Sequence, residues 1–370
     1  MRHLFGYIGI LVALCSGALT GNAQTLHQDI QATWRGEVLQ VITEEEREIP
    51  GTDAVHTYQE IEVGILDGPR AGEIIIIEND FLELDQGDRF YFNYIKYIDG
   101  SEVYGVVNID RSRTLIALAV LFVVTVIAFG GMQGIRSLIA LGGSFAAIYY
   151  ILFPGLLAGW SPLVAGCIIA AGILFAAIFF THGFTKGAWI AYCGTLLAVV
   201  ITSIIAIIAV HSANLTGFSD EASTYLNFAT GGALDFRALL LGAIIIGFLG
   251  VLDDIAVTQV AVVTELFDAN PNESKRAIFI RAMRVGREHV SALINTLVLA
   301  YTGASLPLLL YLYQAPGSTS ASFNIEIIAT EVVRIIVGSM GLILTVPIVT
   351  FLAVTFLKGY HMKHTHSHAH

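Results

Sequence analysis

Apolar and polar positions follow two different rhythms on either side of Arg113. Ahead of it, short runs rich in Val, Ile, Tyr and Phe are broken by turn residues. The segments 36–43, 57–66, 73–78, 88–95 and 102–109 read as strands, and Asp67-Gly68-Pro69, Gln86-Gly87-Asp88 and Asp99-Gly100-Ser101 as the turns between them. Five such strands within residues 26–110 predict a small β domain, a barrel or sandwich of OB-like or SH3-like size. From Thr114 onward the apolar runs lengthen to roughly 17–25 residues, the length a ~30 Å hydrocarbon core demands of a helix. They predict seven transmembrane helices, near 114–131, 137–156, 162–181, 187–210, 238–260, 290–313 and 334–357, so that 114–357 is an α-helical polytopic membrane domain.

The ends of the chain add two features. Residues 1–23 carry Arg2 and His3, an apolar stretch Leu4–Leu14 and the small-residue sequence Gly21-Asn22-Ala23. This is the pattern of a secretory signal, and an uncleaved N-terminal anchor is its rival. In either case the β domain is expected outside the cytoplasm. Residues 358–370 end in HMKHTHSHAH, with His361, His364, His366, His368 and His370. Alternating histidine is a metal-prone composition, but so short a tail defines no site, and no metal or cofactor is expected.

Composition agrees with a membrane protein: 55% of the 370 residues are hydrophobic and 13% charged, against roughly 25% charged in soluble domains. Of the 30 acidic residues 19 lie between Gln24 and Arg113, which argues against a nucleic-acid partner. Cys15, Cys167 and Cys193 all sit in apolar runs and suggest no disulfide framework. Basic residues set the orientation. Arg136, Lys186, the group Lys275, Arg276, Arg281, Arg284 and Arg287, and then Lys358 and Lys363 fall on one side. Arg237 and Arg334 fall on the other. The β domain outside and the C-terminus in the cytoplasm satisfy both this asymmetry and the leader. The outer stretch 211–237 is too polar to span and is expected to cap that face or carry a short surface helix.

Candidate chemistry concentrates between Gly247 and Gly303. Asp253 and Asp254 lie inside an apolar run, where ionisable groups are costly and are retained for a partner or a task. Counted from the outer end of the predicted fifth span they lie roughly 23 Å down, with roughly 7 Å remaining. Asn295, beside Thr296, is predicted at the same depth on the sixth span. Asp254, Thr258 and Glu265 share a helix face, with Gln259 adjacent, and Asp253 is turned roughly 100° away. A carboxylate so placed can bind a proton or cation, or can pair structurally with Arg284 or Arg287. Two adjacent aspartates on one helix are poorly arranged as a hydrolytic dyad. Between the two spans, Asn270-Pro271-Asn272 reads as a turn and Ser274 as a helix cap. Ile278, Ala282, Val285 and His289, interleaved with Arg281, Arg284, Arg287 and Glu288, read as a basic amphipathic helix at the inner leaflet. Small-residue pairs Gly142/Ala146, Gly143/Ala147 and Gly166/Ala170 suit close helix approach, and the run Glu44-Glu45-Glu46 suits a solvated hairpin edge.

These motifs carry a resemblance. Gly250-Val251-Leu252-Asp253-Asp254 with Thr258-Gln259 and Glu265-Leu266, Asn270-Pro271, Val285-Gly286-Arg287-Glu288-His289 and Asn295–Leu309 are similar to the YibE/F-like family of bacterial multispan membrane proteins. The resemblance implies an inner-membrane location and marks Asp254 and Glu265 as recurrent acidic positions, Asp253 as one of a subset. Glu288 stands where many relatives carry Asp. It implies no defined activity. Two functions are therefore expected from the residues. One is a permease or translocation component, not an enzyme, that moves an ion or small solute with an intramembrane carboxylate for coupling. The other is a membrane scaffold or sensor, possible as an oligomer, whose β domain binds an envelope protein.

Overall fold

The computed structural model describes residues 30–48, 55–97, 99–314, 321 and 324–365. The leader 1–23 and the histidine-rich end beyond Thr365 lie outside them. The chain divides into two compact units, Met1–Phe122 and Val123–His370.

The first unit contains an antiparallel sheet of β1 (Ile30–Glu48), β2 (Val55–Ile65), β3 (Ile74–Asn79), β4 (Arg89–Lys96) and β5 (Glu102–Ile109) in the order β3-β2-β1-β4-β5. It is a half-barrel, a curled single sheet, where a small barrel or sandwich was expected. The reason lies in β1, which runs 19 residues where the apolar pattern marks only 36–43, pairing with β4 through Ile30–Glu37 and with β2 through Gly36–Glu48. Register shifts between Val38 and Gln40 and between Val41 and Thr43 mark bulges, which bend a strand and increase its twist. The concave face holds Trp34, Val38, Ile61, Val63, Ile77, Leu84, Phe90 and Phe92, with Tyr94 stacked on Trp34 at 4.5 Å between centroids. Turns fall where glycine predicted them. At Gly68 (φ 86°) a Cβ would come within 2.7 Å of the Trp34 indole, so the turn lies directly on the core.

Glu102 joins the β2–β3 turn to β5. Its carboxylate accepts from Arg70 Nη1 at 2.7 Å, Tyr94 OH at 2.8 Å and Tyr104 OH at 2.9 Å, and Arg70 also donates to Tyr104 OH at 2.8 Å. These donors stabilise the charged form and pull the Glu102 carboxyl down to about 2. In Glu44-Glu45-Glu46, Glu44 accepts from Gln59 at 3.1 Å and Glu45 pairs with Arg47 at 3.4 Å, within the β1–β2 ladder.

The second unit is helical. After α1 (Ser112–Ala147) a π-helical turn, Ile148–Leu152, leads into α2 (Phe153–Leu157). Then come α3 (Pro162–His182), α4 (Lys186–Ser212), α5 (Glu221–Ala229), α6 (Phe236–Ala269), α7 (Lys275–Ala304), α8 (Leu306–Gln314) and α9 (Glu326–Thr365). Side-chain caps begin several of them as local sequence predicts. Thr185 accepts from Ala188 N, Asp220 from Ser223 N, Asp235 from Ala238 N and Ser274 from Ala277 N. The polar stretch 211–237 carries α5 and is tied down by Glu326 at the start of α9, which accepts from the Thr216 and Gly217 amides at 2.7 and 2.8 Å.

Among the described residues five helical segments are long and apolar enough to cross a membrane, and six if α7 and α8, bent by 64° at Ser305, form one. Two differences from the sequence expectation follow. The basic segment and the predicted sixth span are one uninterrupted helix from Lys275 to Ala304, and the break falls later, within 290–313. The first two predicted spans form one helical segment interrupted at Gly131, whose φ of 53° and ψ of −136° are not helical. A Cβ at Gly134 would lie 2.5 Å from the Val126 carbonyl oxygen, whereas those positions are about 12 Å apart along an unbroken helix. The chain therefore folds back sharply at Gly131.

The centre of this unit is α6. Leu241, Ile244, Ile245, Phe248, Leu252, Ile255, Val263 and Phe267 are buried against α3, α4, α7 and α9. Small residues permit the crossings: Gly166 of α3 lies against Gly242 of α6, where a Cβ would stand 3.1 Å from the facing Cα. Gly142 and Gly143, the other predicted contact positions, have nothing within 4 Å.

Two expectations test these packing arguments. Gly166→Leu forces backbones apart and should cost about 1–3 kcal/mol, read as a lowered melting temperature of the detergent-solubilised protein; Gly142→Leu should not lower it. In the β domain, folding pulls the Glu102 carboxyl below its unfolded value of about 4.3. Its contribution is complete above that pH and is lost as pH falls toward about 2. Acid titration followed by Trp34 fluorescence, with Trp160 and Trp189 replaced by Phe, should therefore show a transition in that window that Glu102→Gln removes.

Candidate functional site

Opposite its packed side, α6 presents Ile246, Gly250, Asp253, Asp254, Val257 and Thr258 along one stripe. The part of α1 after the Gly131 break presents Gln133, Ser137, Ala140, Leu141, Ser144, Phe145 and, in the π-turn, Ile148, spacings of three and four that place them on one helical face. Ile173, Leu174, Ala177, Thr181 and His182 of α3 complete the lining of a cleft of about 650 Å³. His182 and Val257 also border a smaller hollow of about 140 Å³ with Thr185, Ala188, Ala191, Val260 and Ala261.

Both aspartates line this cleft, close to the midpoint of the 34-residue α6, because the helix extends to Ala269 and not only to the predicted end at 260. Asp254 is exposed and Asp253 half-buried, with its Oδ1 buried and without a hydrogen-bond partner. Neither is in an ion pair among the described residues. Arg281 pairs instead with Glu273 at 3.0 Å, and Arg334 with Glu331 at 2.6 Å. Among the described residues no Lys or Arg lines the cleft. Polar side chains there are mostly uncommitted: Ser144 donates to Ala140 O at 2.9 Å, while Gln133, Ser137, Thr181 and Thr258 make no hydrogen bond to other described residues through their side chains. The arrangement is a concentration of negative charge and hydroxyl oxygen in an apolar recess, suited to attract a cation or hold a proton.

The remaining singled-out residues fall elsewhere. Gln259 is buried on the packed side, donating to Ala282 O at 3.0 Å and Thr350 Oγ1 at 2.7 Å, and so joins α6 to α7 and α9. Beside it a Cβ on Gly286 would meet Val346 at 2.5 Å and Gln259 Oε1 at 3.0 Å. Glu265 is exposed and off the cleft. Asn295 and Thr296 are exposed and also off it, and Thr296 donates to Ala292 O at 3.0 Å. On α7 the packed stripe is Ile278, Ala282, Gly286 and Val290; Val285, Arg281, Arg284, Arg287 and Glu288 are exposed, and His289 is half-buried with Nε2 unpartnered. Sequence reasoning passed over Gln133, Ser137, Ser144 and His182. A polar stripe at 133, 137 and 144 in an otherwise apolar helix was the available signal.

An apolar helical bundle with a carboxylate-bearing cleft defines this chain as a multi-helix membrane protein. The YibE/F-like protein family model matches residues 118–359, more than half of the chain, and the protein belongs to that family. No curated protein and no solved structure matches it.

The division between packed and cleft-facing residues predicts opposite responses. Gln259→Leu leaves the Ala282 carbonyl without its side-chain donor and should destabilise by about 1–3 kcal/mol, seen as faster thermal inactivation in detergent. Asp254→Asn, which removes charge from an exposed side chain, should leave that rate unchanged.

Proposed function

We propose that this protein is a permease or translocation component in which Asp253 and Asp254 couple movement of a solute to a proton or cation. The observation that carries the reading is the pair of carboxylates lining a cleft without a cationic partner among the described residues. An acid kept at the middle of an apolar helix needs compensation, and where no arginine supplies it, a mobile cation or proton is the remaining source. Thr258 and His182 are assigned to the path with the aspartates; Gln259 fixes α6 against α7 and α9 behind it, and Glu265, Asn295 and Thr296 lie off the cleft.

In this reading the fold-back at Gly131 divides the first helical segment into two spans and the bent α7–α8 pair forms another, giving seven. With the basic residues of 275–287 on the cytoplasmic side, the β domain lies outside a bacterial inner membrane and the C-terminus inside. A second reading is a scaffold or sensor whose β domain binds an envelope protein. It is favoured by β3, an edge strand with Ile74 and Ile76 59% and 55% exposed, since an unpaired apolar edge is a template for a partner strand.

Full-length protein in proteoliposomes, with an enclosed pH-sensitive dye and an imposed potassium diffusion potential, separates the two. Proton uptake is expected, and Asp254→Asn and Asp253→Asn should each abolish most of it while retaining the wild-type melting temperature. Uptake undiminished in both variants would remove the permease reading. Loss of partner capture in Ile74→Lys/Ile76→Lys, with uptake absent throughout, would establish the second.

A further inference from the structure

The cleft is far larger than a proton or a bare metal ion requires. At about 650 Å³ it falls within the range of pockets that enclose drug-sized molecules, roughly 300–1,000 Å³. Most of its walls are apolar, with Leu141, Phe145, Leu174 and Leu249 among them, and its formal charges lie together at Asp253 and Asp254. Among the described residues no group of three or more His, Cys, Asp or Glu is disposed to hold a metal ion. An anion meets two carboxylates with no compensating Lys or Arg, and a neutral apolar molecule leaves both carboxylates and the unpartnered Asp253 Oδ1 unsatisfied.

We infer that the cleft binds an amphipathic organic cation, its positive centre at Asp253 and Asp254 and its apolar body against Leu141, Phe145, Leu174 and Leu249. This rests on the permease reading above and names the class of solute it would carry. Charge complementarity selects the head, and the apolar walls select the body. Hydroxyls of Ser137 and Thr258 supply hydrogen-bond acceptors to a cation that carries N–H groups.

Rhodamine 6G is a suitable probe, with fluorescein of similar size and opposite charge as its counterpart. Fluorescence anisotropy on the full-length, detergent-solubilised protein should show saturable rhodamine 6G binding, displaced by tetraphenylphosphonium, and none of fluorescein. Asp253→Asn/Asp254→Asn should bind roughly tenfold more weakly or worse. Ala140→Trp, which fills the cleft and leaves both carboxylates in place, should also weaken binding, with unchanged melting temperatures showing that both variants are folded. Absence of saturable binding, equal binding by the double variant, or equal binding of fluorescein would each overturn the assignment. If Asp254-dependent proton uptake persists while rhodamine 6G fails to bind, the solute class is wrong and the permease reading stands. If the dye binds through the aspartates while proton uptake is absent, the site stands and the coupling does not.

Discussion

A single helix must meet two incompatible demands in α6. One side carries the densest packing in the helical unit, with Ile244, Ile245, Leu252, Ile255, Val263 and Phe267 fully buried. The other carries two adjacent carboxylates close to its midpoint. Desolvating both charges among those side chains would cost more than the packing contributes, so the aspartates must face a space that packing leaves open. The cleft between α1, α3 and α6 is the structural expression of that requirement. Its far wall stands off because α1 breaks at Gly131 and does not pack closely onto α3 or α6.

Two sets of polar residues in the bundle contrast. Gln259, Thr345 and Thr350 are buried, and each finds a partner on its own or a neighbouring helix. In an apolar medium an unsatisfied group is expensive; the two Gln259 bonds join α6 to α7 and α9, and Gly286 lets the backbones come near enough to make them. Gln133, Ser137, Thr181 and Thr258 make no side-chain hydrogen bond among the described residues and line the cleft. Polar groups on the packed side and polar groups in the cleft are chemically alike here; what separates them is which side of the helix they occupy.

The β domain obeys a different rule. Its curled sheet meets water on its convex side, and the contact between the β2–β3 turn and β5 is made by charge, through Arg70, Glu102 and the two tyrosines. Alternation along 57–66 and 88–95 already pointed to strands, and glycines at 68, 87 and 100 to turns, because both depend on neighbours within a few residues. That β1 continues through 44–48 was not legible. Glu44, Glu45, Glu46 and Glu48 have no apolar alternation, and they form strand only because β2 is present to pair with them.

The same distinction runs through the helical unit. The chain's own chemistry determined that long apolar helices exist, where Thr185, Asp235 and Ser274 start them, that Asn270-Pro271 ends one, and that Asp253 and Asp254 are out of keeping with their surroundings. Each of these follows from local hydrogen bonding or from the cost of a charge in an apolar run. Which residues share a cavity with those carboxylates was decided in three dimensions. Sequence proximity and estimated depth pointed to Gln259, Asn295 and Thr296, whereas the cleft is shared with Gln133, Ser137 and His182, at least seventy residues away in the chain. Helical periodicity says which residues share a face, but the direction that face takes depends on the partners against which the opposite face packs.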